Sequence, residues 1–397
     1  MTVGSVLILG GTGYLGQFAV LDFANKGWQV LTYHNTQKKR KKQITPPSTN
    51  APTTSSPPFL TQVTYTHHST RAPKFPTSTP GTIKDFWVNL STGEGLIDCL
   101  ASLPTIDLII NCAAISQPAL CEKDISLARS VNVPTKLIDH LIAWYNTTSS
   151  SNNNSNQQSS FFPKLKPPLL IQLSTDQVYD GTHSWWKEDH PTHPVNAYGQ
   201  IKLEAEQLIQ SQWKDHAILR SSIIYGPQPP ATTVSRALFL QFVDTALREK
   251  RATTFFNDEW RCPVYVDDIV ATCHTLASIH LSNSNYDNNG SRYISTSTAP
   301  SQAQSSSSTT TMTGFQHRVF NLGGPERLSR VDMAKIVAEM RDYNGDNSSI
   351  IVEASAASAD RGAASPSDIS MDCSRIREEL GLEMMSFREG LKKSFHL

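Results

Sequence analysis

Tyr198 and Lys202 stand four residues apart in a run whose apolar residues Ile201, Ala205 and Leu208 recur at helical spacing, so phenol and ammonium should share one face. A phenol titrates near ~10 and a lysine near ~10.4 in water. A cation within reach favours the phenolate and lowers the tyrosine by roughly 1–3 units. The tyrosine then serves as a general acid toward a carbonyl being reduced, or as a base toward an alcohol being oxidised, an effect of about 10²–10⁴ in rate. Upstream lies Ser174-Thr175-Asp176, where Thr175 offers a hydroxyl to the same oxygen. Thr175, Tyr198 and Lys202 are therefore the candidate catalytic residues. Their spacing is common by chance, so its weight depends on the elements that carry them.

The first of those elements is a nearly continuous apolar run over residues 3–9. It ends in Gly10-Gly11-Thr12-Gly13-Tyr14-Leu15-Gly16, and a helical pattern with Leu15, Phe18 and Ala19 on one face runs on to Gly27. Strand, glycine turn and helix together suit a dinucleotide: glycines allow close backbone approach, and the helix N-terminus offers free N–H groups to a pyrophosphate. Gly10, Gly13, Tyr14, Leu15 and Gly16 are the cofactor candidates here. A second strand over residues 28–33 ends in His34 and Asn35, with no acidic residue to take the ribose hydroxyls of NAD. The basic run at residues 38–42 reads as a solvated loop edge or as company for a 2′-phosphate, so NADP(H) is favoured, with NAD(H) the other nicotinamide cofactor admitted. Asn35 joins the cofactor set.

Alternation of strand and helix then resumes. A buried strand at residues 108–112 leads into Ala113 and Ala114, small enough for close approach to a cofactor, and the next helix carries Asn132. Residues 169–173 form the strand that delivers Thr175 and Asp176 at its C-terminal end, where open α/β sheets bind ligands. Residues 217–220, 264–266 and 319–322 read as further strands, with Asp267 placed to cap one helix and Ser329 to open another. Asp176 and Arg261 are candidate substrate contacts, the latter as a bidentate clamp or as half of a surface ion pair. The histidines His183, His190 and His193 sit in a proline-bearing loop that suits a lid better than a metal site.

The expected architecture is α/β: a Rossmann-type doubly wound parallel sheet in residues 1–225 and a smaller C-terminal substrate-binding lobe in 226–397, some of whose segments return to the sheet. Three polar tracts, about 36–80, 146–160 and 283–316, are too poor in apolar residues to offset chain entropy and read as surface insertions. With 35 basic and 35 acidic residues the 397-residue chain carries no formal net charge, which argues against a nucleic-acid partner. No apolar run approaches membrane-spanning length and the first strand begins almost at once, so the expectation is a cytoplasmic protein without a membrane partner. Six cysteines without a Cys-x-x-Cys pair read as buried free thiols, with no metal site.

Gly10 to Gly16, Asn111 to Ala114, Ser174 to Gly181, Glu188 to Pro194 and Tyr198 to Lys202 together resemble the extended short-chain dehydrogenase/reductases. Asp258 to Asp268 and the late stretch Asp368 to Leu391, with Asp372-Cys373-Ser374 and Phe387 to Leu391, look like its dTDP-4-dehydrorhamnose reductase branch, which includes the methionine adenosyltransferase regulatory β subunit. The resemblance implies an NADP(H)-dependent reductase with Thr175, Tyr198 and Lys202 as its triad. Tyr198 would protonate the alkoxide, Lys202 would hold the nicotinamide ribose, and Thr175 would orient the carbonyl. The branch's substrates are 4-keto nucleotide sugars; its β subunits bind NADP and regulate a separate synthetase. A methionine adenosyltransferase catalytic subunit is accordingly the alternative partner, with the tail Lys392-Lys393-Ser394-Phe395-His396-Leu397 as the docking element. Two departures stand out: Asn89 occupies a position often acidic in the family, and Gln177 replaces the usual aromatic beside the pocket.

Overall fold

In the computed structural model, residues 4–34, 75, 83–102, 105–151, 166–234, 238–282, 315–343 and 349–397 are described. Asn35, the basic run at 38–42 and most of the three polar tracts lie outside them.

A seven-stranded parallel sheet organises the chain. Its strands are β1 (Ser5–Leu9), β2 (Gln29–His34), β3 (Ile83–Trp87), β4 (Leu108–Asn111), β5 (Leu169–Thr175), β6 (His216–Ser221) and, numbered after four short strands of the lobe, β11 (Val319–Leu322), in the order β3-β2-β1-β4-β5-β6-β11. Both faces are covered, so the strands read as apolar runs rather than alternating ones. Val6 and Ile8 of β1, Leu108 and Ile110 of β4, and Leu169 and Ile171 of β5 point to one face. They meet α1 (Tyr14–Asn25) and α8 (Val266–Ser282) through Ala19, Phe23, Ile269 and Leu276. Leu7, Leu9, Ile109 and Leu170 point to the other face, against α2 (Leu96–Ala101), α5 (Thr135–Ser151) and α6 (Ala197–Gln212). Two short helices, α3 (Pro118–Lys123) and α4 (Ile125–Asn132), pack beside α6.

The lobe gathers α7 (Phe239–Arg248), α9 (Arg330–Met340) and α11 (Phe387–Phe395) around Tyr225, Val243, Phe255, Met333, Val337 and Leu391. Three two-stranded pairs border it: β7 (Ile224–Tyr225) with β10 (Val264–Tyr265), β8 (Thr253–Phe256) with β13 (Ile351–Ala354), and β9 (Trp260–Arg261) with β12 (Leu328–Ser329). Between lobe helices the chain returns to the main sheet as β11, and α10 (Ser374–Leu380) then packs Ile376 and Leu380 into the core beneath α1 and α8. No helix among the described residues is long and apolar enough to cross a membrane.

Several expectations need adjustment. The tract at 146–160 does not begin as irregular chain: α5 runs through Ser151, because a helix already nucleated on the core propagates at little further cost. Asp267 does not cap α8 but is its second residue, where its charge still complements the helix N-terminus. The strand β3 carries no apolar run, only partial burial, and the sequence reading passed over it. Ser329, by contrast, caps α9 in a reciprocal capping box with Asp332.

Candidate active site

The site lies where β1, β4 and β5 end. Gly10 has φ +80°, and a Cβ there would stand 2.9 Å from both N and Cα of Ala113, so the turn and the end of β4 close on each other only without a side chain. At Gly16 a Cβ would lie 2.1 Å from the Gly10 carbonyl oxygen. Gly13 donates its N–H to that carbonyl at 2.9 Å and occupies the N-cap of α1 without a side-chain cap, which leaves the helix's first amides for a ligand. Ala113 and Ala114 are half-buried beside this turn. Tyr14 and Leu15 are more buried: the Tyr14 hydroxyl donates to the Pro227 carbonyl at 2.9 Å, and Leu15 packs in the core. Asn132 spends its amide on Ile115, accepting from its N–H at 2.7 Å and donating to its carbonyl at 3.0 Å. It shapes the loop after β4 through that clamp.

Thr175 is the last residue of β5. Its hydroxyl donates to Asp176 at 3.1 Å and accepts from the Gln177 N–H at 3.2 Å, and it lies near enough to Tyr198 to act on the phenol. Asp176 also accepts from Ser222 Oγ at 2.9 Å. Burial raises the Asp176 carboxyl, opposed by the Arg261 charge and by its two hydroxyl donors. Tyr198, on the first turn of α6, is buried as well. Burial, then the Asp176 charge, raises its phenol above the ordinary value, against the Thr175 hydrogen bond.

Lys202 follows one turn later and is 2% exposed. Its ammonium donates to the Leu173 carbonyl of β5. Burial lowers it to about 8, opposed by Glu206 one further turn along. The expectation that Lys202 lowers the Tyr198 phenol is therefore corrected: desolvation and the Asp176 carboxylate dominate, and the phenol holds its proton.

Arg261, at the end of β9, is 3% exposed and near Asp176. Nη1 donates to the carbonyls of Trp260 at 2.8 Å and Ser367 at 3.3 Å; Nη2 donates to the Pro366 carbonyl at 2.9 Å and Ser365 Oγ at 3.3 Å. This guanidinium anchors residues 365–367 rather than presenting a free fork. The histidine loop is likewise fastened: His183 stacks on Trp186 at 3.6 Å, and the Trp186 indole donates to the Asp368 carbonyl at 2.9 Å.

Three residues escaped the sequence reading. Ser222 has no local signal, since it meets Asp176 from the end of a different strand. Glu122 of α3 accepts from the Ala197 N–H at 2.7 Å, again across elements. Asn196 was legible in principle as an N-cap type directly before the helical pattern; its Oδ1 accepts from the Gly199 N–H at 2.8 Å.

Residues 164–299 match the family described as the RmlD substrate binding domain. Over those residues the chain is similar to that domain. "Methionine adenosyltransferase 2 subunit beta" of Bos taurus is 25% identical over 228 residues, 57% of this chain and 56% of that protein. A "dTDP-4-dehydrorhamnose reductase" of Sinorhizobium fredii is 25% identical over 228 residues, 56% of this chain and 64% of the relative. The chain thus spans little more than half the length of these curated relatives. Among solved structures, dTDP-4-dehydrorhamnose reductase from Bacillus anthracis in complex with NADP superposes with a TM-score of 0.64 at 16% identity, covering 100% of this chain and 99% of that one. MoeE5 in complex with UDP-glucuronic acid and NAD gives 0.60 at 16% identity over 99% and 98%. The Rossmann-type fold expected from the glycine turn is the fold of these neighbours.

Proposed function

We propose that this protein is an NADP(H)-dependent reductase acting on a keto group of a nucleotide sugar or a related metabolite. The observation that carries the reading is the gathering of the buried Thr175 hydroxyl, Tyr198 phenol and Lys202 ammonium at the C-terminal end of β5, beside the Gly10 turn. A dinucleotide suits that turn because Gly10 and Gly16, lacking side chains, let it close tightly on Ala113 and on the start of α1, as a pyrophosphate-binding turn must. The exposed amides at the start of α1 would hold it. NADP is favoured over NAD because β2 ends in His34 without an acidic residue.

When bound, the nicotinamide supplies the hydride. The chain's own residues manage the proton. Tyr198, kept protonated by burial and by Asp176, donates its hydroxyl proton to the carbonyl oxygen as negative charge grows there. Thr175 fixes the direction of that hydroxyl and offers the same oxygen a second contact. Lys202 sits one turn away as the cation to hold ribose hydroxyls. The 4-keto nucleotide sugar is the substrate suggested by the reductase relatives and by the nucleotide-sugar complexes among the structural neighbours.

The full chain, incubated with NADPH and dTDP-4-dehydrorhamnose, is expected to oxidise the cofactor. Tyr198→Phe should lower turnover by about 10²–10⁴. No substrate-dependent oxidation across a panel of 4-keto nucleotide sugars would overturn the reading. A second reading is favoured by the relatives named as subunits of methionine adenosyltransferase: a non-catalytic NADP-binding subunit. It requires capture of a methionine adenosyltransferase catalytic subunit at micromolar concentration.

A further inference from the structure

We propose that Asn196 is a positioning residue whose amide couples the seating of residues 360–368 to the orientation of Tyr198, with Gln177 as its second anchor. The inference rests on the reductase reading for its kinetic consequence but not for the coupling itself.

All three hydrogen-bonding capacities of the Asn196 side chain that matter are committed, and the residue is 2% exposed. Oδ1 caps α6 by accepting from Gly199 at 2.8 Å, which holds the peptide that follows Tyr198. One Nδ2 proton goes to Gln177 Oε1 at 2.8 Å, on the turn that follows Thr175. The other goes to the Ala364 carbonyl at 2.9 Å. A single amide therefore joins the helix of Tyr198, the turn after Thr175 and a segment of the lobe.

That segment is held on the lobe side by strong contacts. Arg361 pairs with buried Glu259 at 2.6 Å, Arg261 binds the Pro366 and Ser367 carbonyls, and Asp368 pairs with Arg327 at 2.6 Å. At its tip, a Cβ on Gly362 would meet the Ala119 Cβ of α3 at 3.5 Å, an ordinary contact. The segment thus reaches from the lobe to α3 and the first turn of α6, and Asn196 is its hydrogen bond to the catalytic helix. The helix start has no slack to absorb a change: a Cβ on Gly199 would lie 2.2 Å from the Gln177 carbonyl oxygen and 2.8 Å from Pro194 Cβ. Movement of residues 360–368 is transmitted to Tyr198 and Gln177 together. Gln177 supplies the acceptor for the second anchoring bond of Asn196.

Asn196→Ser separates the functions, because serine keeps the cap acceptor but has no amide protons. In the full chain, hydrogen exchange at residues 360–368 and 197–199 is expected to quicken about tenfold in concert, the signature of the lost bond to the Ala364 carbonyl, while the sheet amides keep their protection. With the 4-keto nucleotide sugar, kcat is expected to fall about 10–100-fold at unchanged KM for NADPH, since a misplaced proton donor affects chemistry and not cofactor binding. Gln177→Leu should reproduce part of both effects and Gln177→Glu, which restores an acceptor, should rescue them. Unchanged exchange at 360–368 in Asn196→Ser overturns the coupling. Faster exchange with kcat intact overturns the positioning role. If the wild-type chain shows no turnover with any substrate, the reductase reading fails on its own and the exchange measurement still decides the coupling.

Discussion

At the scale of single residues, the most informative group is Lys202. Burial takes its ammonium from 10.5 down to about 8, so between those values the unfolded chain carries a proton that the folded chain has lost. Stability contributed by this group therefore rises with pH across that window, and the cost of burying its charge is greatest below pH 8. Lys202→Met should be more stable than the wild type at pH 7, and the difference should shrink toward pH 10.5, as read from urea midpoints at each pH; an unchanged difference would contradict the burial account. Activity should move oppositely. On the reductase reading, kcat/KM falls on the alkaline side of about pH 8 as Lys202 loses its charge, and Lys202→Met has low activity without that limb. Tyr198 gives no competing limb at neutral pH, since burial and Asp176 raise it. A residue that weakens the fold below pH 8 and is needed for turnover there is the stability cost expected at a working site.

At the scale of elements, α6 carries Tyr198, Lys202 and Glu206 one turn apart on a single face, with Ile201, Ala205 and Ile209 packed beside them. The tyrosine and lysine were legible because their spacing and the apolar period lie within one helix. The role of Glu206 was not, because its partner Arg220 comes from β6: the two meet at 2.8 Å with side chains 1% and 6% exposed, and Ser174 Oγ and the Tyr179 hydroxyl complete the cluster. Such a pair adds little net stability when intact, yet removing one member leaves an uncompensated charge. Glu206→Gln should therefore cost about 3–5 kcal/mol, measured by urea denaturation. A cost below about 1 kcal/mol would show that water reaches Arg220. The same logic explains β3, which was missed: its residues alternate between partial burial and exposure at the sheet's edge, so neither an apolar run nor a helical period marks it.

At the scale of the whole molecule, the parallel, doubly covered sheet was legible from strand, glycine turn and helix in succession, because each unit is local. Its strand order and the return of β11 to the edge beside β6 depend on pairings across more than 90 residues, which no window of sequence displays. Residues 360–367 were silent for a different reason: Arg361 meets Glu259 from more than 100 residues away, and the carbonyls of Ala364, Pro366 and Ser367 are bound in ways that any side chain permits. The C-terminal tail shows the practical weight of such long-range packing. Residues 392–397, expected as a docking tail, include the last turn of α11, where Ser394 is buried and the Phe395 ring lies 4.5 Å beneath Arg341. Deleting them should lower stability by about 1–3 kcal/mol, so a lost interaction in that variant would report on the lobe's fold as much as on docking. Lys392 and Lys393 are exposed, Lys393 with its ammonium 5.9 Å over the Tyr265 ring, and reversing both charges leaves the apolar side chains of α11 in place. Lys392→Glu with Lys393→Glu should therefore lower the unfolding free energy by no more than about 2 kcal/mol, the helix-dipole cost of two reversed charges, and leave the variant folded. If a methionine adenosyltransferase catalytic subunit captures the wild type, loss of capture in this folded double variant would assign docking to the helix's cationic face. Full capture would move the contact elsewhere on the molecule.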